Sequence, residues 1–139
     1  MIEYRKLLEG LRLRHFTADE ILVYGERWRG STQNSLPTSN LLQNIIEPLW
    51  VLDHVREITG KPIKLLSSYR SPEYNEAVGG ASKSLHMQNK ALDFRSERVS
   101  ARKLYNIVMK LRDAGMFKGG VGLYDNFVHI DTRGRNTQW

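Results

Sequence analysis

A chain of 139 residues with 40% hydrophobic content is the size of one ordinary domain, so a single core is expected over residues 1–139 and a second domain is not. No stretch approaches the roughly 18 apolar residues of a membrane span, and the lack of cysteine removes disulfides and thiolate metal ligands together. The net charge of +6 favours an anionic partner. However, Arg12, Arg14, Arg27 and Arg29 at one end and Arg133 and Arg135 at the other form no basic run, which reads as solvated surface. With no nucleic-acid motif and no exposed aromatics interleaved with Lys and Arg, no nucleic-acid partner is expected.

The start, Met1-Ile2-Glu3-Tyr4-Arg5, lacks the apolar core of a secretory signal, so export is expected to need another route. Thr17 and Glu20 form a capping-box pattern with Phe16 and Ile21 as a hydrophobic staple, predicting a short helix to about Tyr24. From Gly30 to Asn40 the chain is polar and rich in turn formers, a loop. Residues 1–39 thus read as an N-terminal helix and loop, and 40–139 as the main body. Leu41, Leu42, Ile45, Ile46, Leu49 and Leu52 recur at helical spacing, with Pro48 expected to kink or split the helix and Gly60 to end it.

Ile63–Ser68 and Ala91–Arg95 suit short, partly buried strands. Ser100 caps an amphipathic helix with Ala101, Leu104, Tyr105, Val108 and Leu111 on one face and Gly115 as its terminator. Gly120–Tyr124 and Phe127–Asp131, joined by Asp125-Asn126, have the spacing of a tight hairpin. The expected class is α+β, a small and mainly antiparallel sheet packed with helices.

Zinc takes imidazole nitrogen and carboxylate oxygen, and three protein ligands leave its fourth position open for catalysis. His86, Asp93 and His129, near strand edges, satisfy that count, although any lone histidine near a strand also has a structural reading. His15 and His54 keep the structural reading.

The ordered string Tyr69-Arg70-Ser71-Pro72, Gly79-Gly80, Ser84-x-His86, Ala91-x-Asp93, Gly120-Val121-Gly122-x-Tyr124 and Phe127-Val128-His129-x-Asp131 resembles the zinc D-alanyl-D-alanine peptidases of the hedgehog/DD-peptidase fold. That group includes carboxypeptidases and endopeptidases of peptidoglycan stem peptides, among them phage endolysins, and the resemblance covers roughly residues 40 to 139. It implies that His86, Asp93 and His129 hold Zn²⁺, that Arg70 pairs with a substrate carboxylate, and that Ser84 bonds the peptide. A structural salt bridge for Arg70 and a turn-stabilising role for Ser84 are the alternatives.

Two positions depart from the family pattern. Asn89 stands where glycine is usual, and Asn tolerates a left-handed backbone better than most residues. Asn126 stands where many members carry the Glu or Asp base, and Phe127 where others carry a second histidine. Asp125, beside the usual position, and Asp131, on the His129 face by strand alternation, are the substitutes. Asp131 has the further reading of an acceptor that orients His129, and Asp125 that of a turn residue.

The implied function is a zinc peptidase acting on peptidoglycan stem peptides, as a D-Ala-D-Ala carboxypeptidase or an L,D-type endopeptidase. The alternative is a zinc-containing module that binds wall peptides without turnover. A monomer acting at the cell envelope or encoded by a phage is expected, with no separate wall-binding module, so that targeting rests on this domain, a partner or charge.

Overall fold

The computed structural model of the chain describes residues 2–139. Helix α1 (Ile2–Gly10) lays Tyr4 and Leu8 into the core. Helix α2 (Ala18–Leu22) begins at the expected capping box, with Thr17 accepting from the Glu20 amide and Glu20 accepting from the Thr17 amide. A 3-10 turn (Val23–Glu26) leads into a minimal hairpin of β1 (Trp28–Arg29) and β2 (Thr32–Gln33), the second of which lies in the Gly30–Asn40 stretch read as loop.

The expected helix from Leu41 divides into a 3-10 segment (Ser39–Ile45) and helix α3 (Ile46–Thr59). Pro48 causes no kink. It lies in the first turn of α3, where an amide has no intrahelical acceptor to lose. Gly60 ends α3 in the left-handed conformation, φ 63°.

Strands β3 (Lys64–Ser67), β4 (Ala91–Arg95), β5 (Gly120–Leu123), β6 (Val128–Asp131) and β7 (Thr137–Gln138) form a five-stranded sheet in the order β3-β4-β6-β5-β7. All pairings are antiparallel except β5 with β7. Between β3 and β4 lie α4 (Pro72–Ala77), capped by Ser71 with Pro72 in its first turn, and a 3-10 turn (Leu85–Gln88). Helix α5 (Ala101–Asp113) starts at Ser100, whose hydroxyl accepts from the Lys103 amide.

Alternation along the central strands separates two faces. Leu92, Phe94, Val128 and Ile130 join the core with Leu49, Leu52, Leu104 and Val108 from α3 and α5. Burying each such aliphatic side chain contributes about 1.5–3 kcal/mol. Ala91, Asp93, His129 and Asp131 take the opposite face, in the registers Asp93↔His129 and Ala91↔Asp131. The sheet therefore carries its polar residues on the side away from α3 and α5. Among the described residues no helix is long and apolar enough to cross a membrane.

Candidate metal centre

Asp93 and His129 are direct cross-strand partners, and side chains so opposed converge on one face. The third member arrives from outside the sheet. Ser84 caps the 3-10 turn by accepting from the His86 amide, and the His86 carbonyl accepts from the Arg70 amide at 3.1 Å. Asn89 closes this turn in the left-handed region, φ 59°. Its side chain donates to the Leu41 carbonyl (3.1 Å) and the Tyr4 hydroxyl (3.4 Å), so the residue in the family's glycine position also ties the turn to the N-terminal segment.

The ring nitrogens are sorted by their partners. His86 Nδ1 lies 2.7 Å from the Ser68 carbonyl, which can only accept, so the proton sits on Nδ1 and the Nε2 lone pair faces the triad. His86 Nε2 is 3.1 Å from Asp93 Oδ1 but poorly aligned with it, and among the described residues this buried atom has no hydrogen-bond partner. His129 Nδ1 lies 2.8 Å from Asp93 Oδ1, and His129 Nε2 lies 2.8 Å from Asp131 Oδ2. The three candidate ligand atoms are all within 4.8 Å of one another. Zinc bonds of about 2.0–2.2 Å put neighbouring tetrahedral ligands about 3.3 Å apart. The donor set, the spacings and the orphaned His86 nitrogen fit a divalent metal of the imidazole–carboxylate type.

Buried charge is balanced within the cluster. Burial by itself would raise the Asp93 carboxyl, but the hydrogen bond with His129 and the adjoining His86 ring hold it well below its ordinary range. Burial would lower His129, yet Asp131 and Asp93 on either side raise it. Asp131 is likewise held low against the cost of its burial by His129, Arg133 and the Gly120 amide.

The triad lies on a cleft of about 500 Å³. One wall is the loop containing Gly80–Leu85, and the other is formed by Tyr124, Phe127, Arg133 and Trp139. His86, Asp93 and His129 are 3%, 8% and 9% exposed, so a substrate reaches them only through this opening. Arg70 and Ser84 also line it. The Arg70 guanidinium is fixed by Ser67 Oγ (3.1 Å) and Asn75 Oδ1 (3.2 Å), with Nη2 at 3.5 Å from Asp93 Oδ2.

Neither aspartate considered as a base reaches the cleft. Asp125 sits on the exposed hairpin turn beside a separate depression lined by Ser100, Ala101 and Arg102. Asp131 is fully buried under His129, with its oxygens occupied by the His129 ring, the Gly120 amide and Arg133. Its geometry is that of an acceptor orienting the ring. Among the described residues, Asp93 is the cleft's only carboxylate. His15 meets Glu57 and His54 meets the Trp50 carbonyl, both outside the triad.

Residues 14–131 match the peptidase M15 family. The chain belongs to that family. Among relatives of this peptidase M15 chain, the peptidoglycan L,D-endopeptidase MepK of Escherichia coli strain K12 is 38% identical over 81 residues, covering 53% of this chain and 42% of the relative. The probable peptidoglycan L,D-endopeptidase MepK of Haemophilus influenzae is 36% identical over 77 residues, covering 50% of this chain and 39% of the relative. The chain spans less than half the length of these curated relatives.

Some contributors were not legible beforehand. Asn34, buried in the polar loop, donates to the Tyr24 and Tyr69 carbonyls (2.8 Å each) and accepts from the Ser71 amide (2.9 Å), bracketing Arg70. Its only sequence signal is an amide residue among turn formers. Trp139 enters the cleft wall because β7 pairs with β5, with the Trp139 amide donating to the Val121 carbonyl at 3.1 Å. Gly122 leaves room for it, since a Cβ there would strike the indole.

Proposed function

We propose that this peptidase M15 domain uses zinc, held by His86, Asp93 and His129, to hydrolyse peptidoglycan stem peptides as an L,D-type endopeptidase. The observation that carries the reading is the convergence of two imidazole nitrogens and a carboxylate at one face of an open cleft, with the His86 nitrogen lacking any other partner among the described residues. The substrate class is supported by the relatives from Escherichia coli and Haemophilus influenzae, a peptidoglycan L,D-endopeptidase and a probable one. When bound, zinc supplies Lewis-acid polarisation of the scissile carbonyl and activation of water.

The chain's own residues prepare the site. Asp93 is kept ionised by its neighbours, so it enters as an anionic ligand. Asp131 accepts from His129 Nε2 and turns the opposite ring nitrogen towards the triad. Arg70, fixed on three sides at the cleft surface, and Lys83, without an ion pair among the described residues, suit the carboxylates of an anionic peptide. Ser84 offers a hydroxyl on the same wall.

A second reading, a zinc-containing module that binds wall peptides without cutting them, is favoured by one observation: among the described residues no acidic side chain other than Asp93 lines the cleft. Incubating the zinc-loaded chain with purified sacculi, with and without chelator, and analysing released muropeptides by mass spectrometry separates the two. Chelator-sensitive cleavage at an L,D bond is expected. Zinc-dependent retention on sacculi with no released fragment favours the binding module.

A further inference from the structure

Arg133 and Trp139 lie beyond the stretch that matches the family, yet both line the cleft. Arg133 grips Asp131 as a fork, Nε to Oδ1 at 2.9 Å and Nη2 to Oδ2 at 2.7 Å, and its backbone amide adds a contact to Oδ1 at 3.2 Å. Oδ2 is the same oxygen that receives His129 Nε2. A bidentate guanidinium fixes the plane of a carboxylate as well as its position. The direction in which His129 presents Nδ1 therefore depends on Arg133, through Asp131.

The other side of Arg133 is also held. Its guanidinium carbon lies 5.3 Å from the centre of the Trp139 ring, and that ring lies 5.4 Å from His129. His129, Asp131, Arg133 and Trp139 close into a ring of contacts. Trp139 is anchored in turn: its indole Nε1 donates to the Tyr124 hydroxyl at 2.9 Å, and the β7 strand before it is tied to α5 by buried Arg112, which donates to the Thr137 carbonyl and Gln138 Oε1. The packing has no slack, because a Cβ on Gly120 would collide with Asp131 Oδ2 and crowd Trp139 and Arg133.

We propose that Arg133 is a positioning residue of the metal centre: its fork on Asp131, braced by Trp139, locks the His129 ring in the orientation that presents Nδ1 to zinc. The proposal rests on the reading that His86, Asp93 and His129 hold zinc. Without the Arg133 guanidinium, Asp131 Oδ1 keeps the Gly120 amide and the backbone amide of residue 133, while Oδ2 keeps only the His129 ring, so the carboxylate plane loses its fork.

The test is zinc affinity by competition with a chromophoric chelator, with the visible spectrum of the cobalt-substituted chain as a second readout. Wild type, Arg133→Met, Arg133→Lys and Trp139→Phe are compared. Arg133→Met keeps apolar bulk against Trp139 and is expected to weaken zinc about 10–100-fold, the usual cost of losing a partner behind a ligand. It is also expected to alter the cobalt spectrum. Arg133→Lys restores charge but not the fork, so intermediate affinity is expected, and Trp139→Phe a smaller loss. Should Arg133→Met fold poorly, Arg133→Lys and Trp139→Phe carry the same test. Wild-type zinc affinity and cobalt spectra in folded Arg133 variants overturn the proposal, and so does an effect confined to peptide KM, which would make Arg133 a substrate contact. Failure of the wild-type chain to bind zinc overturns the metal reading beneath it and is seen before any variant is made.

Discussion

The two histidines of the triad are held by opposite means. His129 stands on a central strand with charged support, Asp131 and Arg133 behind its Nε2. His86 rides on a 3-10 turn supported by neutral groups: the Ser68 carbonyl behind Nδ1, the Ser84 cap, and Asn89 bonded to Leu41 and Tyr4. One arm is set by electrostatics inside the sheet, the other by turn geometry and by a segment distant in the chain. Damage to the first arm should appear as lost metal affinity, and damage to the second chiefly as lost stability.

Asp93 belongs to both arms, so Asp93→Asn is expected to have the largest effect, loss of stoichiometric zinc binding, read by metal analysis after dialysis. Asp131→Asn comes next. It keeps the shape but can present an amide N–H to His129 Nε2, and zinc affinity is expected to fall about 10–100-fold with far-UV circular dichroism unchanged.

On the other arm, Asn34→Ala strips partners from the buried backbone around Arg70 and is expected to cost about 2 kcal/mol in urea unfolding. Asn89→Gly keeps the left-handed turn but deletes the bonds to Leu41 and Tyr4. About 1 kcal/mol is expected, with zinc stoichiometry intact.

The smallest effect at neutral pH belongs to Tyr4. Burial, only partly offset by the Asn89 hydrogen bond, pushes its phenol up to about 12. A folded-state pKa above the unfolded value of about 10 gives stability that is fully present below pH 10 and lost as pH rises towards 12. Tyr4→Phe should flatten that alkaline loss, worth about 2 kcal/mol, in unfolding curves taken across this range.

Much of this architecture is written locally. Apolar residues alternating with Asp93 on β4 and with His129 on β6 reveal strands with one polar face, and the Ser100 and Thr17 caps mark helix starts where the structure has them. Alternation also brings Asp131 to the His129 face, as found. Whether that face is open at Asp131 depends on Arg133, Trp139 and the parallel strand β7, a two-residue element without periodicity of its own. The burial that removes Asp131 from the cleft is thus a tertiary fact. Asp125 is similar, because strand register fixes the turn while the side of the hairpin facing the cleft is decided by packing. Helix α1 does have Tyr4, Leu7, Leu8 and Leu11 at helical spacing, but its anchor, Asn89, lies far along the chain.

The central claim is that His86, Asp93 and His129 together form one zinc site. Zinc titration of the purified chain by calorimetry tests it most directly, beside His86→Ala and His129→Ala. The account predicts one zinc per wild-type chain and loss of that binding in each variant. No binding by the folded wild-type chain, or undiminished binding by either variant, would contradict it.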